Sequence, residues 1–118
     1  MSHAFVEYDD ARFRSFGLSI DLEAPSVAVT GALDLATGRL LVDAVDLASS
    51  GLDAAGHAVT VDLRDLEFLD AAGIGSIIAA RNSARTRRST VRVDAHGRIE
   101  RILLIAGAAS LLHRATLA

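Results

Sequence analysis

The stretch over residues 59–78 constrains the fold of this chain more than any other. Val59, Val61 and Leu63 alternate with polar residues, which predicts a β-strand with one buried face. A short acidic and apolar connection follows. Residues 70–73, Asp-Ala-Ala-Gly, then predict an abrupt helix start, where a carboxylate and free backbone N–H groups meet. The chain should therefore contain a rigid strand-to-helix corner.

Short strands and amphipathic helices alternate along the rest of the chain. Thr37 is a plausible N-cap for the first helix, and Ser50-Gly51 should close it. Apolar residues at helical spacing predict that helix and the last one, while a period of two predicts the strands. Strands are expected around residues 18–23, 27–30 and 91–95, and helices around residues 37–52, 70–88 and 99–106.

The predicted element order is ββαβαβα. Every predicted strand alternates between apolar and polar residues, which indicates a sheet that is covered on one face. We expect a single α/β domain with a mixed sheet of four or five strands and helices packed mainly on one face. Residues 1–15 are interpreted as a polar lead-in or frayed strand, and residues 108–118 as a short helical turn with a possible last strand.

Composition excludes several classes of chemistry. The chain of 118 residues has no cysteine, which rules out disulfides, thiolate metal sites and cysteine nucleophiles. All twelve basic residues are arginine, so a lysine Schiff base and a P-loop lysine are also ruled out. The sequence has no apolar run that could span a bilayer and no secretory signal at its start.

The charge is unevenly distributed along the chain. Residues 1–80 carry four arginines against thirteen acids, and residues 81–118 carry eight arginines against two acids. This pattern fits two solvated faces of opposite sign, or a basic end that meets an acidic partner. Aromatic residues make up 4% of the chain, which argues against stacking on nucleic-acid bases.

Four residues near the corner are candidates for function. Asp70 is expected to cap the helix and to lie within reach of a partner. Gly73 and Gly75 should permit close backbone approach and leave a flat surface. Asp34 is expected to hydrogen-bond a turn or the end of a strand.

The second helix has a predicted outer face. Its stripe of isoleucines, Ile74, Ile77 and Ile78, should point into the core. The small residues on the other side would let another chain approach closely, or they reflect helix propensity alone. These residues are Ser76, Ala79, Ala80 and Ser83.

Other reactive groups do not form a recognisable site. His3, His57, His96 and His113 share no short spacing, so no metal site is expected. Ser110 and His113 lie near each other in sequence, but no oxyanion architecture accompanies them. We expect no catalytic residue and no cofactor.

Two motifs carry a resemblance to a known family. Residues 31–37, Gly-Ala-Leu-Asp-Leu-Ala-Thr, are similar to a family motif in which the second residue is glutamate. Residues 61–75 are similar to a strand followed by Phe-x-Asp-Ser-Ser-Gly-Leu-Gly, and residues 102–107 provide a weaker third match. On these motifs the chain resembles the STAS domain family, and within it the bacterial anti-sigma factor antagonists, over roughly residues 16–112.

The resemblance implies a mechanism and one departure from it. Antagonists of this family bind a serine-kinase anti-sigma factor, and phosphorylation of the serine after the motif aspartate ends the interaction. A phosphate adds about −1.5 to −2 charges to the contact surface. Here Ala71 and Ala72 occupy the two serine positions, so no phosphorylation site is expected. The family glutamate is Ala32, and the usual C-terminal helix is cut short.

The resemblance therefore predicts a lead-in over residues 1–15 and a STAS domain over residues 16–118. We expect a cytoplasmic anti-sigma factor antagonist-like protein, with a histidine-kinase-like ATPase of the anti-sigma type as its partner and with no nucleic-acid or membrane contact. Other STAS domains are further candidate partners. The expected partner-binding residues are Asp34, Asp70, Ala71, Ala72, Gly73, Ile74, Gly75, Ser76 and Ala79.

Two alternatives remain open. The domain could sense a nucleotide or another anion held at the helix N-terminus near Ala72 and Gly73. It could also be a structural subunit of a larger signalling assembly built from STAS domains. An enzyme is the least favoured class.

Overall fold

The computed structural model describes residues 5–10, 16–50 and 58–112. Strands and helices alternate within these ranges, and a short 3₁₀ helix follows the last α-helix. The strands are β1 (Phe5–Asp10), β2 (Phe16–Asp21), β3 (Ser26–Leu33), β4 (Ala58–Asp62), β5 (Leu66–Leu69) and β6 (Thr90–Asp94). The helices are α1 (Gly38–Ser49), α2 (Ala71–Arg85), α3 (Gly97–Ile105) and the 3₁₀ turn Ala109–Leu111.

The sheet is mixed, with the strand order β1-β2-β3-β4-β6. The first three strands pair antiparallel, and β3, β4 and β6 pair parallel. The short β5 pairs parallel with the end of β3. The predicted fold class is confirmed. Beyond the four strands of the predicted order, the structure has β1, in the segment interpreted as a polar lead-in or frayed strand, and β5, in the predicted connection.

The core lies between the sheet and helices α1 and α2. The strands alternate between buried and partly exposed residues, as the sequence predicts, because successive side chains point to opposite faces. The apolar stripe predicted for α1 is buried, while Leu52 and Gly51 lie outside the described residues. The buried core includes Phe16, Leu18, Ile20, Val27, Val29, Leu41, Val45, Val59, Val61, Ile77, Ala80, Ala84, Val91 and Val93.

Helix α2 is rotated relative to the sequence prediction. Its buried residues are Gly73, Ile77, Ala80 and Ala84, so the assignment of Ala80 to the outer face is wrong. A spacing of three and four residues places these four on one stripe. Because the stripe is mostly Gly and Ala, it shows little hydrophobic contrast with the opposite face.

Two glycines allow α2 to pack closely. A Cβ atom at Gly73 would lie 2.1 Å from the carbonyl oxygen of Leu33, so the first turn of α2 rests on the end of β3. A Cβ atom at Gly38 would lie 1.8 Å from the hydroxyl oxygen of Ser76, so the start of α1 rests on α2. Both contacts fix the relative position of β3, α1 and α2.

The end of the described chain partly matches its prediction. Ala109–Leu111 forms the expected helical turn, and Leu112 forms an isolated parallel bridge with Val93 at the edge of the sheet. Residues 113–118, which would complete the predicted last strand, lie outside the described residues. Within the described ranges, the helices are too short or too polar to cross a membrane.

Candidate partner-binding surface

The corner predicted at Asp70 is present between β5 and α2. Asp70 has extended backbone angles, and the Gly73 N–H donates to its Oδ1 atom over 2.8 Å. The Ile74 N–H donates to the Asp70 carbonyl oxygen over 3.0 Å, which forms the first helical hydrogen bond. The predicted N-cap is therefore confirmed. The carboxylate also stabilises the helix, because it lies at the positive end of the helix dipole.

A second turn lies between β3 and α1. The N–H groups of Ala36 and Thr37 donate to Asp34 Oδ1 over 3.0 and 3.2 Å, so Asp34 holds this turn as the sequence suggested. Thr37 stands at the N-cap position, but its hydroxyl does not cap α1. The hydroxyl donates instead to the Ala32 carbonyl and accepts from the Asp34 N–H. Thr37 is therefore the N-cap residue that the sequence predicts, but it makes no side-chain cap hydrogen bond because this turn uses its hydroxyl.

The turn held by Asp34 and Thr37 projects Leu35 into solvent. Leu35 is 84% exposed, whereas Leu33 two positions earlier is fully buried. This apolar side chain, held between two fixed turn residues, is therefore available for contact with another molecule. Leu35 belongs to the first sequence motif, but the motif alone does not indicate that its side chain is exposed.

A groove of about 540 Å³ runs between α1 and α2. Leu35 stands at its margin, and small residues of α2 form one wall. We call this surface the docking groove. It is lined by Leu35, Arg39, Val42, Asp43, Asp46, Ala72, Gly75, Ser76 and Ala79.

The predicted site residues divide into three groups around the docking groove. Four of them line it: Ala72, Gly75, Ser76 and Ala79. Ala71 is exposed at the corner, and the half-buried Asp34 and Asp70 hold the two adjoining turns. Gly73 is buried, and the half-buried Ile74 packs on the core.

Gly75 differs from Gly73. A Cβ atom at Gly75 would meet nothing within 4 Å. The prediction that Gly75 permits close backbone approach is therefore wrong. The residue is exposed on the wall of the docking groove. Its missing side chain leaves room there for an atom of another molecule.

Ser76 is already engaged within the fold. Its hydroxyl donates to the Ala72 carbonyl one turn earlier over 3.1 Å, and its side chain lies against the backbone of Gly38. The hydroxyl nearest to the alanines at positions 71 and 72 is thus half-buried between two helices. This packing disfavours Ser76 as a substitute phosphate acceptor.

The charged residues of the docking groove are partly paired. Arg39 Nε lies 3.3 Å from Asp43 Oδ1, with both side chains largely exposed. Asp46 Oδ1 accepts from the Ser83 hydroxyl over 2.6 Å and pairs with Arg87 over 3.1 Å. Sequence reasoning missed these residues because the groove needs two helices that are far apart in sequence. The only available signal was that the two acids of α1, Asp43 and Asp46, stand three positions apart.

The docking groove offers a surface for contact. In residues 16–50 and 58–112, no three His, Asp or Glu side chains come together in a way that could hold a metal ion. Small residues and one exposed leucine line the groove, and its hydroxyl and carboxylate groups already bond to neighbouring residues. Such a surface can bind another molecule by shape and apolar contact.

Solved structures share this fold. An anti-sigma factor antagonist from Mycobacterium paratuberculosis is 20% identical, with a TM-score of 0.61, over 94% of this chain and 83% of that one. The anti-sigma factor antagonist SpoIIAA, in its unphosphorylated form, is 14% identical with a TM-score of 0.62, over 86% of this chain and 88% of that one. At these identities the likeness concerns the fold, which is that of anti-sigma factor antagonists.

The fold also occurs within a larger protein. The murine anion transporter Slc26a9, solved in its inward-facing state, is 20% identical with a TM-score of 0.55. The match covers 71% of this chain and only 14% of the transporter. No curated protein matches this sequence.

The two sequence motifs resembled the STAS family, and a family comparison confirms that resemblance. The family model described as the Mlab STAS domain matches residues 16–113. Both motifs and the whole docking groove lie within the matched residues. Because this match spans most of the chain, the protein belongs to the Mlab STAS domain family.

Proposed function

We propose that this protein is a non-enzymatic regulatory module, similar to an anti-sigma factor antagonist, that binds a kinase-type anti-sigma factor through the docking groove. The observation that carries the proposal is the exposed Leu35 beside a wall of small residues on α2. This combination of one apolar anchor and a closely approachable helix suits a protein contact. A partner of this type implies a cytoplasmic location.

The corner supports contact without a phosphorylation switch. Ala71 occupies the exposed first position of α2 and carries no hydroxyl. The neighbouring Ser76 hydroxyl is held between two helices. A partner kinase would therefore find no acceptor at the corner, and binding should persist in the presence of ATP.

The structure gives less support to an anion-sensing role at the same helix N-terminus. The Asp70 carboxylate already accepts the Gly73 N–H, which an incoming anion would need. A second negative group at this position would also face the Asp70 carboxylate. Like charges at such distances repel, so the cap disfavours an anion there.

A pull-down with cognate kinase-type anti-sigma factors tests the proposal. The account predicts capture that is equal with and without ATP, because the corner offers no acceptor. Absence of binding to every such factor would contradict the proposed partner class. If ATP abolishes capture and this chain gains a phosphate, the proposal that phosphorylation does not control binding is contradicted.

A second candidate is a subunit of a larger assembly that contains STAS domains. The match to the Mlab STAS model and the occurrence of the fold within Slc26a9 favour it. In that case the docking groove would bind another component of the assembly. Purification of the tagged protein from its own cells separates the candidates, since a stable multi-component complex that lacks any anti-sigma factor supports the second.

A further inference from the structure

A second concave site lies at the far end of α2, away from the docking groove. It is a pocket of about 200 Å³ between the end of α2, the start of β6 and the 3₁₀ turn. We call it the arginine pocket, and it shares no lining residue with the docking groove. Its lining consists of Arg81, Arg85, Thr90, Val91 and Ser110.

The charge of the arginine pocket is one-sided. Arg81 and Arg85 stand one helical turn apart, and none of the described residues that line the pocket carries a carboxylate. Neither guanidinium forms an ion pair with a described residue, whereas Arg87 on the same helix pairs with Asp46. Like charges at this spacing repel each other, so the pair is stabilised when a counter-charge lies between them.

One donor of this pair lacks an acceptor. The Nε atom of Arg81 is buried and has no hydrogen-bond partner among the described residues. A buried N–H without an acceptor is rare in native proteins, because it loses its hydrogen bond to water and gains nothing in return. Because this atom is closed to solvent, a ligand in the pocket would bind the Arg81 guanidinium through its terminal nitrogens and change the surroundings of the Nε–H.

The lining of the pocket indicates the class of ligand. Guanidinium groups bind planar or tetrahedral oxyanions through paired hydrogen bonds, and Thr90 and Ser110 add two hydroxyl groups. The volume is below the roughly 300–1,000 Å³ of sites that enclose a whole drug-sized ligand. We propose that the arginine pocket binds a tetrahedral oxyanion, either inorganic phosphate or the phosphate group of a phosphomonoester.

The test is a titration of the full chain at constant ionic strength. One arm uses inorganic phosphate and the other uses glucose 6-phosphate. Calorimetry measures affinity, and ¹H–¹⁵N spectra follow the arginine Nε–H signals. We expect saturable binding in at least one arm, with a shift of the Arg81 signal. Tighter binding of one probe identifies the source, and equal binding assigns recognition to the phosphate group alone.

Three variants make the test specific. Arg85→Gln removes one charge from an exposed side chain, and Arg81→Lys keeps the charge but removes the guanidinium group. Each should weaken binding about tenfold, as expected for a lost charge-assisted hydrogen bond. Arg101→Gln, an exposed arginine on α3 outside the pocket, is the matched control and should bind like the wild type.

Three results would overturn the proposal. They are no saturation in either arm, unchanged affinity in Arg85→Gln and Arg81→Lys, or an equal loss in Arg101→Gln. Melting curves establish that each variant is folded. If Arg81→Lys does not fold, Arg85→Gln decides the outcome, because its side chain is exposed.

Discussion

Gly38 and Ser76 form a tight contact between the first two helices. A Cβ atom on Gly38 would lie 1.8 Å from the Ser76 hydroxyl oxygen and 2.9 Å from the Ser76 Cβ atom. Real Cβ atoms do not approach this closely, so position 38 accepts only glycine unless the helices move apart. The contact sets how closely α1 and α2 approach each other at Ser76, which lines the docking groove.

The first prediction concerns this contact. Gly38→Ala should lower the free energy of unfolding by about 1–3 kcal/mol, because overpacking forces the two helices apart. Adding Ser76→Gly should restore part of this loss, since it removes both atoms that clash. Urea denaturation of the single and double variants measures the effect.

Gly75→Ala is the matched control for Gly38→Ala. Its Cβ atom would lie in open space, and alanine favours helix by about 1 kcal/mol over glycine. This variant should therefore be as stable as the wild type or more stable. Equal stability of Gly38→Ala and Gly75→Ala would contradict the tight helix contact.

The second prediction concerns the cap of α2. Asp70→Ala removes the acceptor of the Gly73 N–H and should lower the free energy of unfolding by about 1 kcal/mol. Asp70→Asn keeps a side-chain oxygen and should lose less. Denaturation curves of the two variants check this order, and a larger loss in the asparagine variant would contradict the capping role.

The third prediction concerns acid sensitivity. The bidentate hydrogen bonds from Arg64 hold the pKa of Asp62 below its usual range, more strongly than its partial burial raises it. Since the folded pKa is lowered, this stabilisation is present above the unfolded value of about 3.9. It is lost as the pH falls through the lower folded value.

Denaturation at pH 6 and pH 3 measures this loss. Both side chains of the pair are partly exposed, so solvent screening limits the effect to about 1 kcal/mol or less. Asp62→Asn should remove this part of the difference between the two pH values, and Arg64→Gln should remove less of it, because the Arg64 backbone N–H still donates to Asp62 Oδ1. A full acid response in both variants would show that other carboxylates cause it.

The fourth prediction concerns the missing acceptor. Incubation with a kinase-type anti-sigma factor and ATP should leave the mass of the wild-type chain unchanged. Ala71→Ser places a hydroxyl on the exposed first position of α2 and should gain one phosphate. Ala79→Ser, exposed on the same helix, is the control and should gain none. Phosphorylation of the wild type would contradict the interpretation of the corner.

The strands and α1 could be predicted because their patterns are strong. In β2, β4 and β6 a period of two separates buried from partly exposed residues without exception. The four residues of β5 lack this period, since Leu66 and Leu69 are buried and the two residues between them are exposed. The sequence therefore predicted a connection there.

The docking groove was harder to predict than the corner beside it. Asp70 and Gly73 belong to a local motif, and the cap depends only on residues close in sequence. The groove depends on how α1 meets α2, and Ala80 and Ala79 look alike until that contact is known. Leu35 became a candidate only when its exposure was seen.

The most direct test of the central claim is the affinity of the protein for a kinase-type anti-sigma factor, measured by calorimetry for the wild type, Leu35→Asp and Ile105→Asp. Leu35 and Ile105 are 84% and 81% exposed, but only Leu35 lines the docking groove. The account predicts that Leu35→Asp binds at least about tenfold more weakly, as expected when a leucine loses its apolar burial, while Ile105→Asp binds like the wild type. Equal affinities for the three proteins, or an equal loss in both variants, would contradict the account.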